Sequence, residues 1–153
     1  MDLKQALIII ISGMLGTIGF SALFRCDKRR VLCNAIGGAM TCAVYVICCK
    51  YFDNIFLQNF VPAVFVTIYS EAMARFMKAP ATPILACSVI SLVPGSKLYY
   101  TTYYLVTSED ALFHETLKET LLIAAGLAGG IICVSVIVHE INRHKFKQII
   151  DVE

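Results

Sequence analysis

The residues best suited to do chemistry in this chain lie in one stretch, Ser91–Tyr100, which reads SLVPGSKLYY. Its Pro94-Gly95 pair interrupts an apolar run, because proline removes a backbone donor and glycine adds conformational freedom. A helix that resumes after this break begins with free N–H groups and a partial positive charge, and Lys97 adds a full charge there. Pro94, Gly95, Ser96 and Lys97 are therefore predicted to bind an anion such as a carboxylate, with Ser96 as the helix N-cap.

A second interpretation of this stretch stays open at the sequence level. The Pro94-Gly95 pair is then a simple proline kink, and Lys97 forms an ion pair with Glu71. Four tyrosines follow the break and fit either account. Of these, Tyr99 lies deepest and needs a hydrogen-bond partner if it is buried, which makes it the better site candidate.

Glu71 and Arg75 form a second candidate site. They are four residues apart on a predicted helix, so they share a face and can pair. Arg75 lies near the predicted interface, where its long side chain can reach water. Glu71 lies one turn deeper, and an ionisable group at that depth is a functional candidate by default. A functional site and a structural ion pair are both compatible with this spacing.

The chain that must position these residues is unusually apolar. Hydrophobic residues make up 58% of it and charged residues only 16%, against about a quarter in soluble domains. Each of its five apolar stretches is close to the ~20 residues that a membrane-spanning helix needs. The sequence therefore predicts an all-α integral membrane protein, a single transmembrane domain over 1–153 with about five transmembrane helices. Their predicted spans are 3–24, 31–49, 57–74, 81–106 and 117–138, the fourth discontinuous at Pro94-Gly95. Thr82 is predicted to cap the helix that starts the fourth span.

Basic residues predict the orientation of these spans. Nine of the 13 Lys and Arg residues fall on one side of a five-helix topology. Because cytoplasmic loops carry the excess of Lys and Arg, we expect a protein of the cytoplasmic membrane with its N-terminus outside and its C-terminus in the cytoplasm. The small net charge of +2 gives no reason to expect a nucleic-acid partner.

Neither the cysteines nor the other reactive residues suggest catalysis. The seven cysteines form no C-x-x-C pair or Cys/His cluster, and most lie within the predicted spans. We interpret them as small packing residues and expect no metal and no cofactor. No nucleophile elbow, phosphate-binding loop or zinc signature is present, so the chain is not predicted to be an enzyme.

The residues around both candidate sites also resemble the signature of the threonine/serine exporter family. The stretch SEAMARFMKAPATPILACSVISLVPGSKLYY carries the resemblance, and GFSALFR, NAIGGAM and GLAGG extend it over nearly the whole chain. Pro83 departs from the pattern, since family members usually have an aliphatic residue there. The matching positions are Glu71, Ala74, Arg75, Pro80, Thr82, Leu92, Val93, Pro94, Gly95 and Tyr99.

This resemblance implies a membrane subunit of a secondary exporter. The chain is similar to the small, C-terminal-half subunit of split members, which work with a larger membrane subunit in the lipid bilayer. The implied substrate is a small carboxylate-bearing compound such as threonine, serine or succinate. In that reading Thr82 and Tyr99 line the path, and Glu71 is a proton or ammonium partner tuned by Arg75.

Two rival functions and one further assembly state remain open. A non-transporting membrane scaffold or assembly protein would use the glycine-rich helix faces only to bind partners. A channel-like pore would give passive flux. A homo-oligomer is possible in each case.

Overall fold

A computed structural model describes the backbone of residues 3–150 and the side chains of residues 3–143. This part of the chain contains α-helices and one short 3₁₀ helix, Ile90–Leu92, and no strand. The six α-helices are α1 Leu3–Leu23, α2 Lys28–Tyr51, α3 Ile55–Met77, α4 Ala81–Val89, α5 Gly95–Val106 and α6 Asp110–Ile150.

Four of these helices are long and apolar enough to cross a membrane, namely α1, α2, α3 and α6. The segments Ala81–Leu92 and Gly95–Val106 pass the same test only together, and they are bent by 57° at the break between them. Counting this bent pair as one span gives five. The all-α membrane fold and the discontinuous fourth helix are thereby confirmed.

The last helix is longer than its predicted span of 117–138. It begins at Asp110 and has 41 residues, which corresponds to about 60 Å, or twice the thickness of a hydrocarbon core. The polar segment Asp110–Glu119 continues the helix because Ala, Leu, Glu and Lys favour helical backbone whether or not lipid surrounds them. The apolar stretch 117–138 therefore predicts a membrane span and does not mark the ends of the helix.

Small and polar side chains fill the interior, and most large apolar side chains point outward, as expected where lipid is the solvent. Buried threonines donate to the carbonyl four residues earlier, as Thr41 does to Gly37 (2.7 Å) and Thr67 to Ala63 (2.7 Å). The buried polar residues are Thr17, Ser21, Asn34, Thr41, Asn59, Thr67, Ser70, Ser88, Thr101 and Thr120.

Glycines allow two pairs of helices to approach closely. A Cβ at Gly130 on α6 would lie 2.7 Å from the Phe60 carbonyl oxygen of α3, and one at Gly38 on α2 would lie 2.1 Å from the Thr17 hydroxyl oxygen of α1. The absence of a side chain is therefore what allows the α3–α6 and α1–α2 contacts.

The two halves of the broken span pack against different helices. α4 packs on α2 and α3, whereas α5 packs on α6. The short 3₁₀ helix between them contacts α1 and α2. The break therefore lies where these two groups of helices meet, and residues from both line the space beside it.

Candidate functional site

The break itself is built from two backbone turns. The Val93 N–H donates to the Ile90 carbonyl (3.2 Å), and the Gly95 N–H donates to the Val93 carbonyl (2.8 Å). Pro94 precedes the first residue of α5, so the predicted N-cap role of Ser96 is wrong. Proline fits here because its fixed φ suits a helix start. The Ser96 and Lys97 N–H groups lie in the first turn, where the helix offers no acceptor.

A cavity of about 230 Å³, here called the break cavity, opens beside this turn. Pro94, Ser96 and Lys97 line it from the break, and Asn59 of α3 and Ile123 of α6 line it from the opposite side. Ile9 of α1, Cys42 and Tyr45 of α2, and Ser91, Leu92 and Val93 complete the lining. Three of the four predicted anion-binding residues therefore share one cavity.

Ser96 and Lys97 also line a second space, the hairpin groove, which has a volume of about 230 Å³. It lies between α5 and α6, and its other lining residues are Tyr100, Tyr104 and Thr116. These two residues therefore separate the break cavity from the hairpin groove.

Lys97 is held by an acid on α6. Its Nζ donates to Glu119 Oε2, and the two side chains are 44% and 28% exposed. The alternative in which Lys97 pairs with Glu71 is not what the structure shows, because α5 packs on α6 and brings Glu119 to the ammonium group. One turn after Lys97, α5 makes a second polar contact with α6, this time between uncharged side chains. There Thr101 and Thr120 share a hydrogen bond of 3.3 Å, and Thr101 also donates to the Lys97 carbonyl (2.8 Å).

Glu119 is the site residue that sequence reasoning missed. It was given no role from the sequence, although it falls inside the predicted span 117–138. The depth argument applied to Glu71 applies equally to an acid in that position. A basic residue in one span and an acid in the next was the available signal.

Three other predicted site residues lie away from the break cavity. Tyr99 is 65% exposed and stacks on Tyr103 with ring centroids 6.4 Å apart. A Cβ at Gly95 would meet no atom within 4 Å, so this glycine borders open space. Thr82 is exposed, and its predicted capping role is wrong, since Pro80 holds the N-cap position of α4.

Glu71 and Arg75 line a separate cleft of about 320 Å³ between α3 and α6. Among the described side chains they form no ion pair with each other, and Arg75 instead donates to Asn142 Oδ1 at 3.2 Å. Glu71 is half-buried in the cleft wall. The structure thus does not bring Glu71 together with Lys97, and the chain has two separate candidate sites.

The cysteines lie mainly in helix contacts. Cys33, Cys42, Cys48 and Cys87 are buried, and all seven are free thiols. Within the described residues no group of three or more His, Cys, Asp or Glu side chains is placed to hold a metal ion.

Comparison with protein families gives a match for residues 9–137, which include the lining of the break cavity together with Glu71 and Arg75. The matching family is described as Threonine/Serine exporter, ThrE. The chain belongs to this family. Comparisons with curated proteins and with solved structures give no match. Membership in the threonine/serine exporter family, together with the apolar helices, makes this a multi-pass membrane protein and indicates an exporter-type transport role.

Proposed function

We propose that this chain is one membrane subunit of a secondary exporter of small amino acids or carboxylic acids, of the threonine/serine or succinate type. The observation that carries the proposal is the position of the Lys97 ammonium group in the wall of a small cavity at a helix break. Transporters place substrate carboxylates at such broken helices. The family of the chain supports the same class of function.

The break cavity supports a division of roles among its residues. Lys97 and the first-turn N–H groups of α5 receive the substrate carboxylate, and Pro94 and Gly95 keep that end of the helix open. Ser96 offers its hydroxyl beside them. Tyr99 and Thr82, which lie outside the cavity, contribute along the path.

The size of the break cavity supports a small substrate. A volume of about 230 Å³ leaves room for a small acid such as threonine or succinate.

The α3–α6 cleft supports a second, ion-handling role. Glu71 lines it as a half-buried acid without an ion-pair partner among the described residues, while Arg75 is engaged by Asn142. We assign Glu71 to a proton or to a substrate ammonium group, and Arg75 to setting the local charge. A proton and a sodium ion both suit the Glu71 carboxylate as the coupling ion.

The outward face of α1 supports a larger membrane subunit as partner. α1 is the least buried of the four unbroken spans, and nothing lies within 4 Å of a Cβ at Gly16 or Gly19. Small residues allow a second helix to pack closely on such a face. A second copy of this chain on the same face is the competing arrangement.

An efflux assay tests this function. The chain is co-expressed with the larger membrane protein encoded beside it, and the release of threonine, serine and succinate from loaded cells is measured. We expect export of at least one of them against its gradient, and loss of export when either subunit is omitted. A scaffold protein would leave release unchanged, and a passive pore would release the compounds only down their gradients.

A further inference from the structure

We propose that Glu119 occupies the anion site when it is empty, and that a substrate carboxylate binds by displacing Glu119 from Lys97, whereupon Glu119 takes up one proton or pairs with an ammonium group that the substrate itself carries. This inference rests on the proposed function and deepens it. It assigns to Glu119, a residue outside the family signature noted above, the coupling of substrate binding to proton uptake when the substrate carries no ammonium group.

The position of the ion pair supports displacement. Lys97 lines both the break cavity and the hairpin groove, so its ammonium group is reachable from two sides. Both side chains remain partly exposed, at 44% for Lys97 and 28% for Glu119. A carboxylate that enters the break cavity therefore meets an ammonium group that already holds a carboxylate of the same chemistry.

Charge balance then depends on the substrate. With Glu119 ionised, a bound carboxylate without an ammonium group of its own, such as succinate, would place two anions beside one cation in a partly desolvated site, which favours the protonated form of one acid. When Glu119 takes up a proton from water, one O–H bond forms on its carboxyl group, the balance returns, and no other covalent bond changes. The ammonium group of threonine or serine would balance Glu119 without a proton.

The surroundings of Glu119 leave Lys97 as its main ionic partner. On α5 the titratable neighbours that line the hairpin groove are Lys97, Tyr100 and Tyr104. On α6 they are Glu115 and Lys118, which are both exposed. The facing stretch of α3, residues 55–68, carries no titratable side chain, and α2 contributes Cys42 and Tyr45 to the break cavity.

The helices do not need to separate for this exchange. The buried Thr101–Thr120 hydrogen bond holds α5 to α6 one turn from the ion pair. Release of Lys97 by Glu119 therefore changes side-chain partners while the α5–α6 packing is retained.

Proton uptake by the purified two-subunit complex tests the inference. Threonine, serine and succinate are added in turn to the complex in weakly buffered detergent solution with a pH indicator, and binding is measured in parallel with radiolabelled compounds. We expect about one proton taken up per succinate bound, up to about tenfold tighter succinate binding per pH unit of acidification, and no proton taken up per threonine or serine. Succinate is therefore the compound used for the variants and for spectroscopy. Glu119→Gln should bind without proton uptake, whereas Glu115→Gln, the matched control one turn away, should behave as wild type.

A measurement on the wild type covers the case in which Glu119→Gln fails to fold. Infrared difference spectra of the complex with and without the bound compound should show a new protonated carboxyl C=O stretch. Absence of that band, or normal proton uptake by Glu119→Gln, overturns the inference. Export by a wild-type complex that takes up no proton on binding succinate leaves the proposed function standing and removes the coupling role. Failure of all three compounds to bind or be exported overturns both.

Discussion

Among single residues, Lys97 and Glu119 are the most expensive to place in a membrane. Each lies nine residues from the turn that joins α5 to α6, about 14 Å along its helix from that turn. A charged side chain at the centre of a membrane-spanning helix costs ~2.5–3.5 kcal/mol on insertion scales. The ion pair lowers the cost of burial for each side chain, and the partial exposure of both lowers it further.

We expect the Lys97→Met/Glu119→Gln double variant to fold and to lose affinity for the carried acid by about ten- to hundredfold. The removed contact is one charge-assisted interaction worth roughly 1.5–3 kcal/mol. The measurement is the apparent substrate concentration for half-maximal export, with membrane abundance as the control. Lys97→Met alone is the less clean variant, because it leaves Glu119 without its partner. Normal export by the double variant would move the carboxylate to another site.

The cluster at Lys97 was predicted from its residue types, but its partner was not. The order Pro94-Gly95-Ser96-Lys97 predicts a helix start with a cation beside it, and this prediction does not depend on the helices that pack around it. The choice of Glu119 over Glu71 depends on which helix α5 packs against, and sequence separation contains no information on that. The same limit applies to Tyr99, whose exposure follows from the rotation of α5.

At the scale of helices, the α3–α6 contact depends on two glycines. A Cβ at Gly126 would lie 2.7 Å from the Phe56 carbonyl oxygen, and one at Gly130 would lie 2.7 Å both from the Phe60 carbonyl oxygen and from the Ala63 Cβ. Backbone atoms cannot move aside as the end of a flexible side chain can. This contact therefore fixes the position of α6, and with it Glu119.

We expect Gly130→Ala to destabilise the protein by about 1–3 kcal/mol, the usual cost of overpacking. Thermal unfolding of the purified chain in detergent measures the change. Gly16→Ala on α1 is the matched control, since nothing lies within 4 Å of its Cβ, and it should unfold like wild type. Equal stability of the two variants would contradict the close α3–α6 approach.

The helices were predicted better than their ends. The apolar stretches and the Pro94-Gly95 break could be predicted from residue types alone. This is because a spanning segment must be apolar, and a broken helix in a membrane needs residues such as proline and glycine. The N-cap position depends on which residue closes the preceding turn. Pro80 and Pro94 hold the N-cap positions of α4 and α5, which had been predicted for Thr82 and Ser96. The start of α6 was missed because helix propensity continued beyond the apolar residues.

Considering the whole molecule, the predicted orientation awaits a direct test. Arg75 and Asn142 are hydrogen-bonded, which places the C-terminal parts of α3 and α6 on one side, as expected of the third and fifth spans. From the basic residues of the α1–α2 and α3–α4 turns we predict that this side is cytoplasmic under the positive-inside rule.

Cysteine labelling in a variant lacking the seven natural cysteines tests this orientation. We expect Asp53→Cys and Asp110→Cys to react with a membrane-impermeant maleimide in intact cells, and Lys78→Cys to react only after the membrane is opened. The reverse pattern would invert the proposed topology. Reaction of all three in intact cells would contradict the membrane placement of the spans between them.

The arrangement of the whole bundle was beyond sequence analysis for a physical reason. Large apolar residues such as Phe76 and Val106 face outward, while small polar residues such as Thr67 and Ser70 are buried. In a membrane, hydrophobicity therefore does not separate the inside from the outside of the bundle. Close contacts of glycines with backbone decide it, and these are visible only in three dimensions.

The ion pair between the two halves of the α5–α6 hairpin also has a consequence for the order in which the chain is made. Lys97 precedes Glu119 by 22 residues, so it leaves the ribosome before its counter-ion exists. Until α6 follows, a lone ammonium group opposes transfer of the bent fourth span from the translocon into lipid. The fourth and fifth spans should therefore enter the bilayer together, as one hairpin, and the protein's biogenesis should include a pause that ends only when its last helix is synthesised.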